Sequence, residues 1–386
     1  MMKIVADENI PFVVECFSSI GDVKIVSGRE ITPSLVAQAD ILLVRSVTKV
    51  NSKLLAGSKV RFVATATIGT DHIDTEYLSR NHIGFASAPG SNANSAAEYV
   101  IVGLLEIAGR YNIHLEGKSI GIIGVGNVGS KVAKKCSALG MKVKLNDPPL
   151  ARQTGQAKYL PIEELFDCDF ITLHTPLTFE GMDKTFHLAN ERFFESLKEG
   201  CIFFNTSRGA VVDSVALKTA IKKGKLKSAV IDVWENEPNI DVELLEMVDI
   251  GTPHIAGYSL DGKVAGTIMI YKAACSYFGF EPEFDVLSFL PEPDIPQLRV
   301  NPNKGSEQII LQETVTKIYN IKEDDTKLRQ ILNIPKEKTG QFFDNLRKNY
   351  PIRREFQNTK IILEAAHPSI AKKLAGIGFK VSNEQK

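Results

Sequence analysis

The sequence predicts an α/β protein: two doubly wound parallel-sheet domains followed by a small C-terminal α+β module. Three observations carry this expectation. Short, β-rich apolar runs alternate with helical stretches as far as Phe278. A glycine-rich turn at Gly124 joins a strand to a helix and opens a second α/β series. Past a proline cluster at Pro291, Pro293 and Pro296 the composition changes.

The first series has apolar runs at Lys3–Ala6, Val23–Val26, Ile41–Val44 and Arg61–Thr65. Polar or glycine residues bound each run, as expected of buried parallel strands joined by helices. The second series starts at Lys118. SIGIIGVG reads as a strand entering a turn, Ser130–Gly140 as a helix closed by glycine, and MKVKLND as the next strand. Further strands are expected at Phe170–His174, Cys201–Asn205, Ala229–Val233 and Val248–Gly251, then helix from Tyr258 to Phe278. From Gln297 onward 17 Lys and Arg face 10 Asp and Glu, a net +7. The apolar runs Ile309–Leu311 and Ile361–Leu363 make this tail a folded module, and they would need a partner surface to cover them.

Composition narrows the class. Of 386 residues, 44% are hydrophobic, enough for large cores. With 46 basic and 46 acidic side chains, the whole molecule has no charge bias toward nucleic acid or an acidic membrane. The five cysteines, Cys16, Cys136, Cys168, Cys201 and Cys275, form no C-x-x-C pair, so no disulfide framework or metal site is expected. The N-terminus carries Lys3, Asp7 and Glu8 and lacks the apolar stretch of a signal peptide, so the expected location is cytoplasmic.

The segment Gly124-Val125-Gly126-Asn127-Val128-Gly129 is a G-x-G-x-x-G match. Its context is that of a Rossmann-type dinucleotide site. It follows a strand, opens a helix, and precedes an acid, Asp147, at the end of the next strand. One glycine permits the turn, the second admits the pyrophosphate, and the third lets helix and strand pack closely. Asp147 would accept from ribose hydroxyls and repel a 2′-phosphate, which favours NAD over NADP.

Three later segments place polar residues after strands: Asn205-Thr206-Ser207-Arg208, Asp232-Val-Trp-Glu-Asn-Glu237, and Thr252-Pro-His254-Ile-Ala-Gly257-Tyr258. Ligands of open α/β sheets bind at those strand ends. Oxidising an alcohol requires a base, a cation for the substrate's oxygens, and a group that orients the base. His254, Arg208 and Glu237 suit these tasks in turn. Singly, each reads as a surface or structural residue; together, behind a nucleotide motif, they read as a site.

The order GVGNVG–Asp147, His174-Thr175-Pro176-Leu177, NTSRG, IDVWENEP, TPHIAG resembles the D-2-hydroxyacid dehydrogenase family. The resemblance implies a catalytic trio of Arg208, Glu237 and His254. It implies NAD contacts at Asn127, Val128, Asp147, Thr175, Thr206, Ser207, Asp232 and Gly257. It further implies a flavodoxin-like substrate domain at 1–95, an NAD-binding domain at 96–257, a return to the substrate domain at 258–290, and a dimerisation module at 291–386. The segments LVRSVTKV, ATATIGTDH, APGSN and GYSL narrow the match to a member acting on a phosphorylated 2-hydroxy acid, with substrate contacts at Ser46, Thr67 and Tyr258 and a homodimer. Arg45, Ser46, Thr48 and Lys49 also offer donors to an anion, Arg45 being the candidate for the phosphate; a solvated charge cluster explains them equally well. Arg353 and Arg354 could assist from a neighbouring subunit, although solvating the module or pairing with its own acids is the favoured reading for this pair. A phosphoglycerate-type enzyme and an NAD-sensing corepressor of the same fold are the alternatives.

Overall fold

The computed structural model describes residues 1–284 and 290–384 and divides into two compact units. Phe289, which begins the proline-rich linker, lies outside the described residues.

The first unit is Met1–Ala93 with Ser259–Pro291. Its strands are β1 (Met2–Asp7), β2 (Gly21–Val26), β3 (Ile41–Val44), β4 (Phe62–Thr65) and β5 (Gly84–Ala86). They form a parallel sheet in the order β2-β1-β3-β4-β5, a flavodoxin-like winding. Successive strand residues point to opposite faces, so each run fills two cores. Ile4, Ala6, Ile41 and Leu43 pack with Ile270, Tyr271 and Ala274 of the helix Leu260–Phe278. Val5, Leu42 and Val44 pack with Leu54, Leu55 and Leu78 on the other side. The three-residue β5 was not anticipated. Its Gly84 lies so close to the Phe62 and Tyr277 rings that a Cβ would clash, and the segment gives little periodicity to read.

The second unit is Asn94–Tyr258 with Glu292–Lys386. Its main strands are β6 (Ser119–Ile123), β7 (Lys142–Asn146), β8 (Phe170–Leu173), β9 (Cys201–Asn205), β10 (Leu226–Ile231) and β11 (Ile250–Gly251). They pair in parallel in the order β11-β10-β9-β8-β6-β7. The winding reverses beside β6, and ligands of such sheets bind at that reversal. The sheet is buried on both faces. Phe170, Ile202 and Phe204 join one core with the helix Ala93–Arg110, while Ile171, Phe203 and Leu173 join the other.

The C-terminal residues add β12 (Gln297–Val300), β13 (Lys360–Leu363) and β14 (Lys380–Asn383), a small parallel sheet ordered β12-β13-β14. The expectation that its apolar runs need a partner chain is corrected for most of their residues, Ile309 alone of the two runs being exposed. Ile310, Leu311, Ile361 and Leu363 are buried against Val100, Leu104 and Val132 of the same unit. Leu328, Ile331 and Phe343 join the core on the opposite side of the main sheet. Polar links reinforce this packing: Asn94 and Ser95 donate to the Glu355 carboxylate at 2.7 Å each. No helix among the described residues is long and apolar enough to cross a membrane.

Arg329, on the helix Ile321–Arg329, fastens this module to the sheet edge. It donates to the carbonyls of Leu245 (2.8 Å) and Val248 (2.7 Å) and grips Asp325, which accepts from the Gly251 N–H (2.7 Å). Arg329→Ala should therefore destabilise the protein by about 2 kcal/mol, since hydrogen bonds to charged groups contribute ~1.5–3 kcal/mol each. A lowered urea midpoint is expected; an unchanged one contradicts the assigned role.

Candidate active site

The glycine-rich turn leaves β6 where the winding reverses. Gly124 has φ +86°, and a Cβ there would meet the His174 carbonyl at 2.8 Å. At Gly129 a Cβ would lie 2.0 Å from the Gly124 oxygen, so the helix Asn127–Ala138 packs on the strand only with glycine. At Gly126 a Cβ would meet nothing within 4 Å, which leaves a cradle open over the helix N-terminus. A second feature fits a dinucleotide: Thr175 Oγ1 is buried without a partner among the described residues. Asn127 is exposed and Val128 half-buried.

Asp147 sits just past β7, with its Oδ2 accepting from the Val125 N–H (2.8 Å) and its Oδ1 from the Leu150 N–H (3.0 Å). The acid thus braces the glycine turn it was expected to accompany. His174 shares hydrogen bonds with Thr172 (3.0 Å) and Thr206 (3.2 Å), and burial holds it down to about 3. It stays neutral at physiological pH and is a poor proton acceptor.

Asn205, buried at the end of β9, shapes the next loop. Its side-chain oxygen accepts from the Ser207 N–H (3.1 Å) and hydroxyl (2.8 Å), and its amide donates to the Arg208 carbonyl (3.1 Å). Ser207 is buried by this fold, while Arg208 is half-buried and donates to its neighbour's carbonyl (2.8 Å). Gly209 follows; a Cβ there would meet the Trp234 carbonyl at 1.9 Å, so the Arg208 loop and the Trp234 loop touch backbone to backbone.

Asp232 and Thr252 follow β10 and β11. The Asp232 carboxylate is 1% exposed. It accepts from the Thr252 hydroxyl (2.6 Å), the Ile255 N–H (2.8 Å) and the Ala256 N–H (3.0 Å). Burial pushes its pKa up, against the pull of His254 and these donors. His254 itself adopts φ +56°, a left-handed conformation uncommon for a side chain. Its N–H donates to the Asp232 carbonyl (2.7 Å).

The pose brings His254 Nδ1 within 2.7 Å of Glu237 Oε2. Glu237 Oε1 accepts from the Trp234 N–H (2.7 Å), and the Trp234 indole donates to the Thr252 carbonyl (2.9 Å). Burial alone would raise Glu237, but His254, the Trp234 N–H and the nearby Arg347 together hold it below the ordinary glutamate value. An ionised Glu237 fixes the ring proton on Nδ1 and leaves Nε2 as the basic nitrogen. Gly257 and Tyr258 are half-buried. The arrangement sets an imidazole hydrogen-bonded to a carboxylate, and an arginine-bearing loop, at the carboxyl edge of one sheet.

The first unit holds the other predicted residues. Arg45 donates to the Asn9 carbonyl (2.7 Å), Ser46 is exposed, and Thr67 shares a hydrogen bond with Thr65 (2.7 Å). Thr48 is not available to an anion: it is buried and donates to the Gly28 carbonyl (2.8 Å). Arg353 also departs from expectation. It is 8% exposed and bonds the carbonyls of Tyr258 (2.8 Å) and Ala256 (2.9 Å) in its own unit, and Arg354 donates to Asn358 (3.0 Å). Asn205, Thr252, Trp234 and Arg347 were not singled out from sequence. The first three stand inside the quoted motifs; Arg347 opens the tail segment Arg347-Lys348-Asn349-Tyr350, which fits the same resemblance but carried no site role.

The chain is similar to known dehydrogenases. Residues 104–256 match the model of the D-isomer specific 2-hydroxyacid dehydrogenase NAD binding domain, and 289–378 match a domain of unknown function. Erythronate-4-phosphate dehydrogenase of Escherichia fergusonii is 45% identical over 98% of both chains, and that of Shigella boydii is equally similar. Among solved structures, D-lactate dehydrogenase of Aquifex aeolicus complexed with NAD and lactic acid is 26% identical, with a TM-score of 0.60. It is matched over 96% of its length and 72% of this chain. NAD-bound 3-phosphoglycerate dehydrogenase of Entamoeba histolytica is also 26% identical, with a TM-score of 0.62, over 99% of its length and 75% of this chain.

Gly129→Ala tests the turn. Because the added carbon lies 2.0 Å from backbone oxygen, the helix must shift away from the strand. NADH affinity, followed by fluorescence titration, should fall at least ~10-fold, the equivalent of ~1.4 kcal/mol. Wild-type affinity would show that close packing here does not shape the cofactor cradle.

Proposed function

The chain belongs to the erythronate-4-phosphate dehydrogenases, and from that premise we propose that it oxidises 4-phospho-D-erythronate to 3-hydroxy-2-oxo-4-phosphooxybutanoate, a step toward pyridoxal 5′-phosphate. The observation that carries this reading is the His254–Glu237 pair at the carboxyl edge of the sheet that bears the glycine turn. NAD, when bound, supplies the hydride acceptor. The open cradle at Gly126 and the unpartnered Thr175 hydroxyl fit that group.

In this reading His254 Nε2 takes the proton of the substrate's 2-hydroxyl, and ionised Glu237 stabilises the imidazolium that results. The planar fork of Arg208 holds the substrate carboxylate and the oxygen becoming a carbonyl. Gly124, Gly126, Asn127, Val128, Gly129, Asp147, Thr175, Thr206, Ser207, Asp232 and Gly257 serve the cofactor. Ser46, Thr67 and Tyr258 contact substrate, as the family resemblance implies, and Arg45 is the candidate for its phosphate. A cytoplasmic homodimer completes the reading. The exposed Ile309, Leu332 and Ile352 of the module offer apolar surface for it.

The direct experiment is NAD reduction by the purified chain with 4-phospho-D-erythronate, 3-phosphoglycerate, erythronate and D-lactate. The first should be the preferred substrate; equal or better use of 3-phosphoglycerate or lactate contradicts the assignment. His254→Ala should lower turnover by roughly 10²–10⁴-fold with NADH binding largely intact. Retained turnover would move the base elsewhere. Wild-type enzyme should prefer NAD to NADP, and Asp147→Ala should narrow that preference by removing repulsion of the 2′-phosphate. Equal rates with both cofactors in the wild type count against the role of Asp147.

A further inference from the structure

We propose that His187 and Glu235 are positioning residues for Arg208: their hydrogen bond locks the loop that carries Arg208 to the loop that carries Glu237, and so sets where the guanidinium meets a substrate carboxylate. The proposal deepens the dehydrogenase reading above and rests on it for the role of Arg208.

The second unit holds a further imidazole–carboxylate pair, which the chemistry assigned to His254 and Glu237 does not use. His187 Nε2 lies 2.6 Å from Glu235 Oε1. The other carboxylate oxygen of Glu235 accepts from the Ser214 N–H (3.3 Å), and His187 Nδ1 stands 3.9 Å from Asp213. Asp213 caps the helix Ser214–Lys222, accepting from the N–H groups of Val215 (2.9 Å) and Ala216 (3.1 Å). The imidazole is stacked on the Phe186 ring, with centres 4.0 Å apart and planes 14° from parallel. His187 (φ +50°) and Asn236 (φ +62°), the residue after Glu235, both hold left-handed backbone, which is uncommon outside glycine. Such conformations persist where surrounding contacts fix them.

Backbone hydrogen bonds lay residues 187–189 along the segment that follows Arg208. The His187 N–H donates to the Ala210 carbonyl (2.9 Å), the Ala189 N–H to the Val211 carbonyl (3.1 Å), and the Asp213 N–H to the Ala189 carbonyl (3.1 Å). From this ladder the imidazole reaches across to Glu235. That residue follows Trp234, whose N–H holds Glu237 Oε1 (2.7 Å) and whose carbonyl stands where a Gly209 Cβ would be. The contact at Gly209 sets how closely the two loops approach; the His187–Glu235 bond keeps them together. Without that bond the loops can slide past one another. A planar guanidinium must meet a carboxylate in register, so a small displacement loses one of its two hydrogen bonds. The cofactor side of the Arg208 loop is braced separately, by the Asn205 oxygen on the Ser207 hydroxyl (2.8 Å). The loss therefore falls on the acid and not on NADH.

The test is calorimetric titration of oxamate into the NADH complex of wild type, His187→Phe, Arg208→Lys and the double variant. Oxamate carries the carboxylate and adjoining carbonyl of a 2-oxo acid, so it reports on Arg208 whichever hydroxy acid is the substrate. Phenylalanine keeps the stack on Phe186 and removes the hydrogen bond to Glu235. His187→Phe should weaken oxamate about tenfold or more, the loss of one hydrogen bond from guanidinium to carboxylate, with NADH affinity within about threefold of wild type. In the Arg208→Lys background the planar fork is already gone, and the same change should weaken oxamate by less than about twofold. Equal weakening in both backgrounds, or none in the first, overturns the proposal. Should His187→Phe not fold, Glu235→Ala enters the same cycle with the same expectation. A wild-type NADH complex that takes no oxamate overturns the role of Arg208 in the reading above, and the proposal with it.

Discussion

The buried carboxylate of Asp232 is the point on which the His254 loop of the second unit depends. It gathers three donors, two of them backbone N–H groups of the residues directly after His254. Hydrogen bonds to a charged group contribute ~1.5–3 kcal/mol each. A non-glycine residue in the left-handed region costs about 1–3 kcal/mol. The carboxylate therefore outweighs the strain at His254 and keeps the imidazole turned toward Glu237. Thr252 extends the hub: its hydroxyl meets Asp232 and the Tyr99 hydroxyl (2.6 Å), which ties the loop to the long helix beneath the sheet.

The C-terminal module restrains the same loop from its other side. Arg353 holds the carbonyls of Ala256 and Tyr258, while Asp232 holds the N–H groups of Ile255 and Ala256. Donors and acceptors of one short turn are thus satisfied by a buried acid from the sheet and a buried base from the module. Arg353 also lies over the Tyr319 ring at 4.2 Å, which helps a desolvated guanidinium remain buried. A module that looks detachable in composition is part of the scaffold that fixes the site.

Much of this was legible in the sequence because it lies in local pattern. The strands of both sheets announce themselves as short β-rich runs, and the site residues follow those runs directly. Gly124 and Gly129 have the steric reason that their spacing suggests, and Gly126 leaves open space over the helix N-terminus. Glu237 and His254 could be paired from chemistry alone. The rest depends on contacts distant in sequence. Nothing near Arg353 says that it will be buried under the His254 loop, and a pair of adjacent arginines reads as surface. Arg347 meets the Tyr258 ring only because the module packs on the main sheet, and Ile361 and Leu363 look uncovered until their partners from the helix Ala93–Arg110 are in view. Asp232 reads as one more acid at a strand end. Its burial, and so its hold on the loop, is a property of the assembled fold.

The most direct test of this account is turnover of Asp232→Asn, measured with circular dichroism and NADH affinity on the same preparation. The amide keeps the shape but turns a donor NH2 toward a backbone N–H that in the wild type donates to a carboxylate oxygen. The account predicts an ordinary circular dichroism spectrum with turnover reduced about 100-fold, the effect of ~3 kcal/mol lost from the positioned base. Turnover within about twofold of wild type would contradict it, because the His254 loop would then hold its pose without the carboxylate.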